Sequence, residues 1–152
     1  MKTKQQAWLL DIDGVLCDSI RDEHTEQFKQ GDYSVFERNI PNYNCFSWAV
    51  SLVSALAESG HKILFVTARD SAYRAETLAW LSKHIASDKI YSQDLYMRSE
   101  GDTRDDHVIK RELFEVFKDR YNILAAIDDN LDNCRLWKSL GITALTNTIK
   151  EV

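Results

Sequence analysis

The 152-residue sequence contains no long apolar run, and none of its hydrophobic stretches approaches the ~20 residues that a membrane-spanning helix needs. Residues 1–6 are basic and lead directly into a hydrophobic segment, without the apolar core or small-residue cleavage site of a signal peptide. We therefore expect a cytoplasmic protein that does not bind membranes.

Cysteine is also scarce: the three cysteines are odd in number and widely separated, at positions 17, 45 and 134. This pattern favours reduced thiols in small apolar pockets over disulfides or a zinc site. Cys17 lies near a pair of acidic residues, but no histidine lies close to it in sequence. We expect it to pack rather than to act as a nucleophile.

The chain lacks an excess of basic residues, and its net charge is −5. A protein that coats nucleic acid through bulk electrostatics is therefore not expected, although a small pocket for one phosphorylated end remains compatible with this charge. There are no repeats, low-complexity segments or linkers, and the composition is 44% hydrophobic and 28% charged. We predict one domain over residues 1–152.

The pattern of apolar segments predicts a three-layer, Rossmann-like α/β fold with a central parallel sheet. The predicted strands are residues 9–12, 62–66, either 90–91 or 94–97, 122–127 and 142–145, and the predicted helices are 47–59, 71–85, 107–120 and 131–140. On the helix over 71–85 we expect an inner face of five residues: Ala75, Leu78, Ala79, Leu81 and Ile85.

A polar segment of about residues 17–45 follows the first strand, and it is too long for a simple connection. We predict a small cap or flap over the carboxyl end of that strand, with a short helix near 22–29 and turns at 31–32 and 40–42. The alternative is an exposed excursion without a role.

Two carboxylates, Asp11 and Asp13, end the first strand. In an extended chain residues i and i+2 point to the same side, so the two should project together from the carboxyl edge of the sheet. Because adjacent carboxylates repel, such a pair needs a cation or a shared proton. Alone, the pattern could equally be an Asp-Gly turn.

Two later strands deliver polar side chains to the same edge: Thr67 and Arg69, then Asp128 and Asp129. Lys110 comes from the helix between them. Taken singly, each has an ordinary structural explanation: a strand-end hydroxyl, a surface ion pair, a helix cap or a solvated lysine. Three such strand ends at one edge are typical of a catalytic site.

This set suits phosphoryl transfer to a carboxylate. Asp11 would be the nucleophile that forms an aspartyl-phosphate, and Asp13 would protonate the leaving oxygen and then activate water. Mg²⁺ would lie between Asp11 and Asp128, and Thr67 and Lys110 would hold the oxygens of the phosphate.

The motifs Asp11-Ile-Asp13-Gly-Val, Val-Thr67-Ala68-Arg69, Lys110 and Asp128-Asp129 resemble those of the haloacid dehalogenase (HAD) superfamily of phosphatases. The resemblance implies a Rossmann-like fold, Mg²⁺, a nucleophile at Asp11 and a metal contact from the backbone carbonyl of Asp13. It also places Ala68 in the phosphate-binding motif and Asp129 among the metal ligands.

Residues 98–114 and 126–129 are similar, more narrowly, to the 3′-phosphatase domain of phage-type polynucleotide kinases. This resemblance implies that Arg69 and Asp106 are site residues and that Arg21 contacts the phosphate. Asp106 precedes Lys110 by one helical turn, so it can orient either Lys110 or an arginine.

Two features leave the substrate open. The sequence contains no Gly-x-x-x-x-Gly-Lys-Ser/Thr loop, so no kinase site is expected, and residues 14–18 (Gly-Val-Leu-Cys-Asp) are close to the pattern of small 5′(3′)-deoxyribonucleotidases. We predict a Mg²⁺-dependent phosphomonoesterase that removes 3′-phosphate from nucleic-acid or nucleotide ends, without an obligate protein partner. The alternatives are a phosphatase of free nucleotides and a non-catalytic phosphate-binding module.

Overall fold

A computed structural model describes residues 3–19, 26, 30–85, 88 and 91–147. In this part of the chain the strands are β1 (Gln5–Leu10), β2 (Lys62–Asp70), β3 (Leu95–Arg98), β4 (Tyr121–Ile127) and β5 (Thr143–Leu145). The α-helices are α1 (Ser34–Arg38), α2 (Ser47–Glu58), α3 (Arg74–His84), α4 (Asp106–Phe117) and α5 (Leu131–Ser139). None of the described helices has the length and apolar character that crossing a bilayer requires.

The five strands form one parallel sheet in the order β3-β2-β1-β4-β5. β1 is central, with Leu9 opposite Leu64 of β2 on one side and Ala126 of β4 on the other. The chain moves outward from β1 through β2 to β3 and then returns to the other side of β1. Ligands of open α/β sheets bind beyond the carboxyl ends of the strands at such a reversal of strand order.

Side chains of successive strand residues alternate between two cores. Trp8 and Leu10 of β1 face the layer of α2 and α3, whereas Ala7 and Leu9 face the layer of α4 and α5. Because helices cover both faces of the sheet, the strands read as continuous apolar runs rather than as alternating ones. The predicted three-layer α/β fold with a parallel sheet is confirmed.

Several element boundaries differ from the sequence-based expectation. β1 ends at Leu10 rather than at residue 12, and β2 continues to Asp70, so Thr67 and Arg69 are strand residues. The third strand corresponds to the 94–97 alternative. The predicted helix near residues 22–29 lies almost entirely outside the described residues.

The expected inner face of α3 is partly wrong. Ala75 and Ala79 are exposed, whereas Thr77 and Trp80 are buried together with Leu81. The large indole, rather than the small alanines, packs into the core on this side of the sheet, because burying it removes far more apolar surface from water.

The segment after β1 is closed at its base by an antiparallel bridge between Cys17 and Cys45. Its described part packs into the core, with Phe36, Ile40 and Tyr43 all buried. The Trp80 Nε1–H donates to the Tyr43 carbonyl at 2.8 Å, which attaches this segment to α3. The part of this segment from residue 36 to residue 45 therefore belongs to the packed structure beside the carboxyl end of β1.

Candidate active site

Asp11 follows the end of β1 and is 8% exposed. Its Oδ1 accepts the Ile12 backbone N–H at 2.8 Å, and its Oδ2 lies 3.1 Å from the Lys110 Nζ. The same ammonium lies 2.6 Å from the Asp128 Oδ2, so one buried lysine bridges two carboxylates.

The burial of Lys110 follows from its position on α4. It lies on the inward stripe of the helix, three, four and seven residues before Leu113, Phe114 and Phe117, which pack into the core. A charge placed on an apolar stripe must be paired, and here the partners are Asp11 and Asp128. The interpretation of Lys110 as a solvated surface lysine is wrong.

Helix α5 fixes the orientation of Asp128. The Asn133 Nδ2 donates to Asp128 Oδ1 at 3.0 Å, and the Trp137 Nε1–H donates to Asp128 Oδ2 at 3.3 Å. Asn130 caps the helix, since its side chain accepts the backbone N–H groups of Asp132 and Asn133. These contacts leave Asp128 only 1% exposed.

Asp129 lies against the loop after β1, where Gly14 has a φ of +75°. A Cβ built on Gly14 would come within 2.2 Å of Asp129 Oδ2, so only glycine fits beside this carboxylate. The loop and the end of β4 are thereby packed directly against each other.

Carboxylate oxygens of Asp11, Asp128 and Asp129 lie within 4.8 Å of one another. Burial raises the pKa of Asp11 well above its ordinary value against the opposing effect of Lys110, and the neighbouring carboxylates raise it further. Burial, followed by repulsion from Asp128, raises the pKa of Asp129 to about 6. Burial alone would lower the pKa of Lys110, but Asp11 and Asp128 raise it overall, so its ammonium stays charged.

The donor set fits a hard divalent cation. Three carboxylates and one ammonium leave this cluster with a net charge of −2 when all are ionised, and oxygen ligands are the ones that Mg²⁺ prefers. Asn133 Oδ1 is buried beside Asp128 and has no hydrogen-bond partner in the described structure. It could accept a hydrogen bond from a water molecule that a cation brings into the site.

Asp13 belongs to a second group of side chains. Arg69 donates two hydrogen bonds to the Asp13 carboxylate, from Nε to Oδ2 at 2.8 Å and from Nη2 to Oδ1 at 2.6 Å. The Ser19 hydroxyl donates to Asp13 Oδ1 at 2.7 Å. Arg69 is 3% exposed, and its guanidinium lies 5.9 Å from the ring centroids of both Phe36 and Trp80. The interpretation of Arg69 as part of a surface ion pair is therefore wrong.

The two acids of the first motif thus have separate partners. The expectation that they project together assumed that the strand continues to residue 12, but β1 ends at Leu10 and the chain turns at Asp13. Cys17 lies beneath this turn with its Sγ 3.7 Å from Asp13 Oδ1. Burial raises the pKa of the Cys17 thiol, so the thiol stays protonated, as its expected packing role requires.

Thr67 is fully buried, and its Oγ1 accepts the Arg69 backbone N–H at 3.2 Å. The Ala68 carbonyl accepts the Arg98 Nε–H at 2.8 Å, and the Arg98 Nη2 lies 2.5 Å from Asp106 Oδ1. Of the two roles expected for Asp106, the structure places it on an arginine rather than on Lys110.

Sequence reasoning did not identify Arg98, Ser19, Asn133 or Trp137 as supports of the site. Arg98 also donates to the carbonyls of Asp102 and Arg104, so it organises the charged loop before α4. Their signals are weak, because each is a single polar side chain outside any recognised motif, although its carboxylate partner lies only five to nine residues away in sequence. Arg21, which the resemblance assigned to the phosphate, lies outside the described residues.

The sequence matches a known family over nearly its whole length. The model of the polynucleotide kinase PNKP phosphatase domain family matches residues 5–148. A putative bifunctional polynucleotide kinase/RNA ligase of Autographa californica nuclear polyhedrosis virus is 30% identical over 90 residues, which is 59% of this chain and 12% of the viral protein.

Among solved structures, a chain of the Pnkp1/Rnl/Hen1 RNA repair complex superposes with a TM-score of 0.76 at 22% identity, over 98% of this chain and 44% of that one. The class C acid phosphatase of Bacillus anthracis gives a TM-score of 0.66 at 15% identity, over 87% of this chain and 54% of that one. At these identities the structural matches show the fold. The chain spans less than half of the repair-complex chain and about an eighth of the viral relative.

The family model therefore places this chain among the phosphatases of the HAD superfamily, with which its parallel fold agrees. Within that superfamily, the chain belongs to the PNKP phosphatase domain family, whose model covers nearly its whole length.

Proposed function

We propose that this protein is a Mg²⁺-dependent phosphomonoesterase that forms an aspartyl-phosphate on Asp11. The observation that carries the proposal is the buried cluster in which Asp11 lies with Asp128, Asp129 and the ammonium of Lys110. A carboxylate can attack a phosphoryl group only where cationic groups offset the repulsion between the two anions.

In the first step, a carboxylate oxygen of Asp11 forms a bond to phosphorus while the bond between phosphorus and the ester oxygen breaks. The leaving alkoxide takes a proton from the Asp13 carboxyl. In the second step, the Asp13 carboxylate accepts a proton from water as that water attacks phosphorus, which releases inorganic phosphate and regenerates Asp11. Arg69 and Ser19 keep the Asp13 carboxyl in one orientation for both transfers.

Asp11, Asp128 and Asp129, with the backbone carbonyl of Asp13, would hold the Mg²⁺. When bound, the cation supplies positive charge against the phosphate and the attacking carboxylate. Lys110 and the Thr67 hydroxyl lie at the same edge of the sheet and would bind phosphate oxygens.

We further propose that the substrate is a 3′-phosphate on a nucleic-acid or nucleotide end. Membership of the PNKP phosphatase domain family supports this substrate, as does the viral relative, which is named as a polynucleotide kinase/RNA ligase. A phosphatase of free nucleotides is the second candidate, favoured by the nucleotidase-like sequence of residues 14–18.

Phosphate release from p-nitrophenyl phosphate with Mg²⁺ tests the catalytic proposal. We expect release by the parent protein, loss with EDTA, recovery with added Mg²⁺, and no turnover in Asp11→Asn. The conservative Asp13→Asn variant should lose much more kcat on an alkyl phosphate than on the nitrophenyl ester, because a good leaving group needs little protonation. No release by the parent protein under any of these conditions would refute the proposal.

The substrate proposal requires a comparison of a 3′-phosphorylated oligonucleotide with 3′- and 5′-mononucleotides at equal concentrations. We expect the highest kcat/KM for the oligonucleotide and the lowest for the 5′-mononucleotide. Turnover of mononucleotides alone would favour the second candidate.

A further inference from the structure

A cleft with a volume of about 300 Å³ lies between α4 and α5 on the outer side of the sheet layer. His107 and Arg111 of α4 line one wall, and Asp132 and Arg135 of α5 line the other, with Leu136 and Ser139 completing the lining. None of these side chains belongs to the catalytic cluster.

Both walls of the cleft belong to helices that begin at the edge of the sheet where the candidate active site lies. Helices of a parallel α/β sheet begin at the edge where the preceding strands end, so α4 and α5 both begin beside the acidic cluster. His107 directly follows Asp106, and Asp132 comes three residues after Asp129. From Asp132 to Ser139 the wall extends about 10 Å along the helix axis, at 1.5 Å per residue.

The cleft has a basic character in a chain whose net charge is −5. Arg111 has no hydrogen-bond or ion-pair partner within the described part of the chain, and it is exposed. The other guanidinium, that of Arg135, lies 2.5 Å from the Asp132 carboxylate, and 73% and 65% of these two side chains are exposed. An exposed pair of this kind is weak, so a phosphate can take the place of Asp132 at little cost.

We propose that this cleft binds the phosphodiester backbone of a single strand whose 3′-phosphate occupies the catalytic cluster. Arg111 and Arg135 contact backbone phosphates, and Asp132 competes with them for Arg135. This inference rests on the proposed function for the identity of the strand, and it deepens it, because contacts to several backbone phosphates would distinguish a strand from a mononucleotide. The charge complementarity of two guanidinium groups next to a phosphate-end site favours a polyanion over an apolar partner.

The test has a binding arm that does not depend on turnover. The probe is a fluorescent single-stranded oligonucleotide with a 3′-hydroxyl end, prepared as DNA and as RNA. It is titrated at a series of salt concentrations with the parent protein and with Arg111→Ala, Arg135→Ala and Asp132→Asn. Each arginine variant should weaken binding by about twofold to fivefold. It should also reduce the slope of log K against log salt by about 0.7, the value for one lost contact to a single strand.

Asp132→Asn should strengthen binding, because it removes the competing carboxylate. The matched control is Lys138→Ala, which deletes an exposed positive charge from the same helix outside the cleft. It should leave both the affinity and the slope unchanged. Equal effects of Lys138→Ala and Arg135→Ala would show bulk electrostatics and overturn the proposal, as would unchanged binding in both arginine variants.

A kinetic arm connects the cleft to the active site. For Arg111→Ala and Arg135→Ala, the ratio of kcat/KM for the 3′-phosphorylated oligonucleotide to that for the 3′-mononucleotide should fall, through a higher KM for the oligonucleotide. An unchanged ratio overturns the inference even if the protein is an active phosphatase. Binding that follows the expected pattern in a protein without phosphatase activity would overturn the proposed function and leave the cleft standing.

Discussion

Gly14→Ala provides a direct test of the proposed metal site, because the strain in the backbone and the displacement of Asp129 can be measured separately. The φ of +75° costs an alanine about 1–2 kcal/mol. The new methyl group would also lie 2.2 Å from Asp129 Oδ2, whereas ordinary contact begins at 3.4 Å, so the carboxylate must retreat by about 1.2 Å. Mg²⁺ tolerates little departure from octahedral geometry, so this displacement should weaken its binding by about tenfold or more.

Gly141→Ala is the matched control for Gly14→Ala. Gly141 has a similar φ of +77°, and nothing lies within 4 Å of a Cβ built on it. Urea unfolding without metal should show a loss of about 1–2 kcal/mol in both variants, whereas calorimetric titration should show weaker Mg²⁺ binding only in Gly14→Ala. Equal Mg²⁺ affinity in the two variants would refute the assignment of Asp129 to the metal site.

Three further predictions concern the charged groups of the site. Lys110→Met should destabilise the metal-free protein by about 3–5 kcal/mol at neutral pH in urea unfolding, because Asp11 and Asp128 lose their buried counterion; a loss below 1 kcal/mol would contradict this reasoning. The pKa of Asp129 is raised from 3.8 to about 6 in the folded protein, so between these pH values the folded state binds more protons than the unfolded state. Asp129 therefore contributes at most about 3 kcal/mol to the free energy of unfolding. This contribution is present below pH 4 and is lost as the pH rises through 6. This loss should disappear in Asp129→Asn, which a series of unfolding curves without metal can check. Arg69→Lys keeps the positive charge but loses the two hydrogen bonds that the guanidinium donates to Asp13. The kcat of this variant on an alkyl phosphate should fall by about tenfold or more, whereas its kcat on the nitrophenyl ester should fall less. Equal losses on both esters would argue against an effect through Asp13.

The fold could be predicted from the sequence because its signals are local and repeated. Apolar runs at β1, β2 and β4 end in polar residues, and Gly60 and Gly141 follow α2 and α5 as helix terminators. The carboxyl ends of parallel strands must meet at one edge, so Asp11, Thr67 and Asp128 could be placed near one another without coordinates.

The partners of the site residues could not be predicted in the same way. Whether Asp13 contacts the partners of Asp11 or contacts Arg69 depends on where β1 and β2 end. β1 ends two residues before the expected position, and β2 ends four residues after it. Helix α1 is only five residues long, too short for a periodic apolar pattern, and it places Phe36 beside Arg69. The supports of Asp128 are Asn133 and Trp137, five and nine residues later in the chain, and their bonds to its carboxylate depend on the geometry of the turn into α5.

Arg69 and Lys110, the two cationic side chains of the site, contact their carboxylates with different geometries. Arg69 holds both oxygens of Asp13 in a planar fork, a geometry that fixes an orientation and that lysine cannot reproduce. Lys110 is a point charge shared by Asp11 and Asp128, and it acts as the internal counterion of a carboxylate cluster that burial makes costly. A bound cation that balanced those carboxylates would leave the Lys110 ammonium able to contact a phosphate oxygen, whereas Arg69 would stay on Asp13. We therefore expect Lys110→Arg to lower kcat strongly although the substitution retains the positive charge. The Lys110 Nζ lies 3.1 and 2.6 Å from the two carboxylates, and a guanidinium cannot fit in that space. Activity of Lys110→Arg close to that of the parent protein, measured on p-nitrophenyl phosphate with saturating Mg²⁺, would contradict this division of roles.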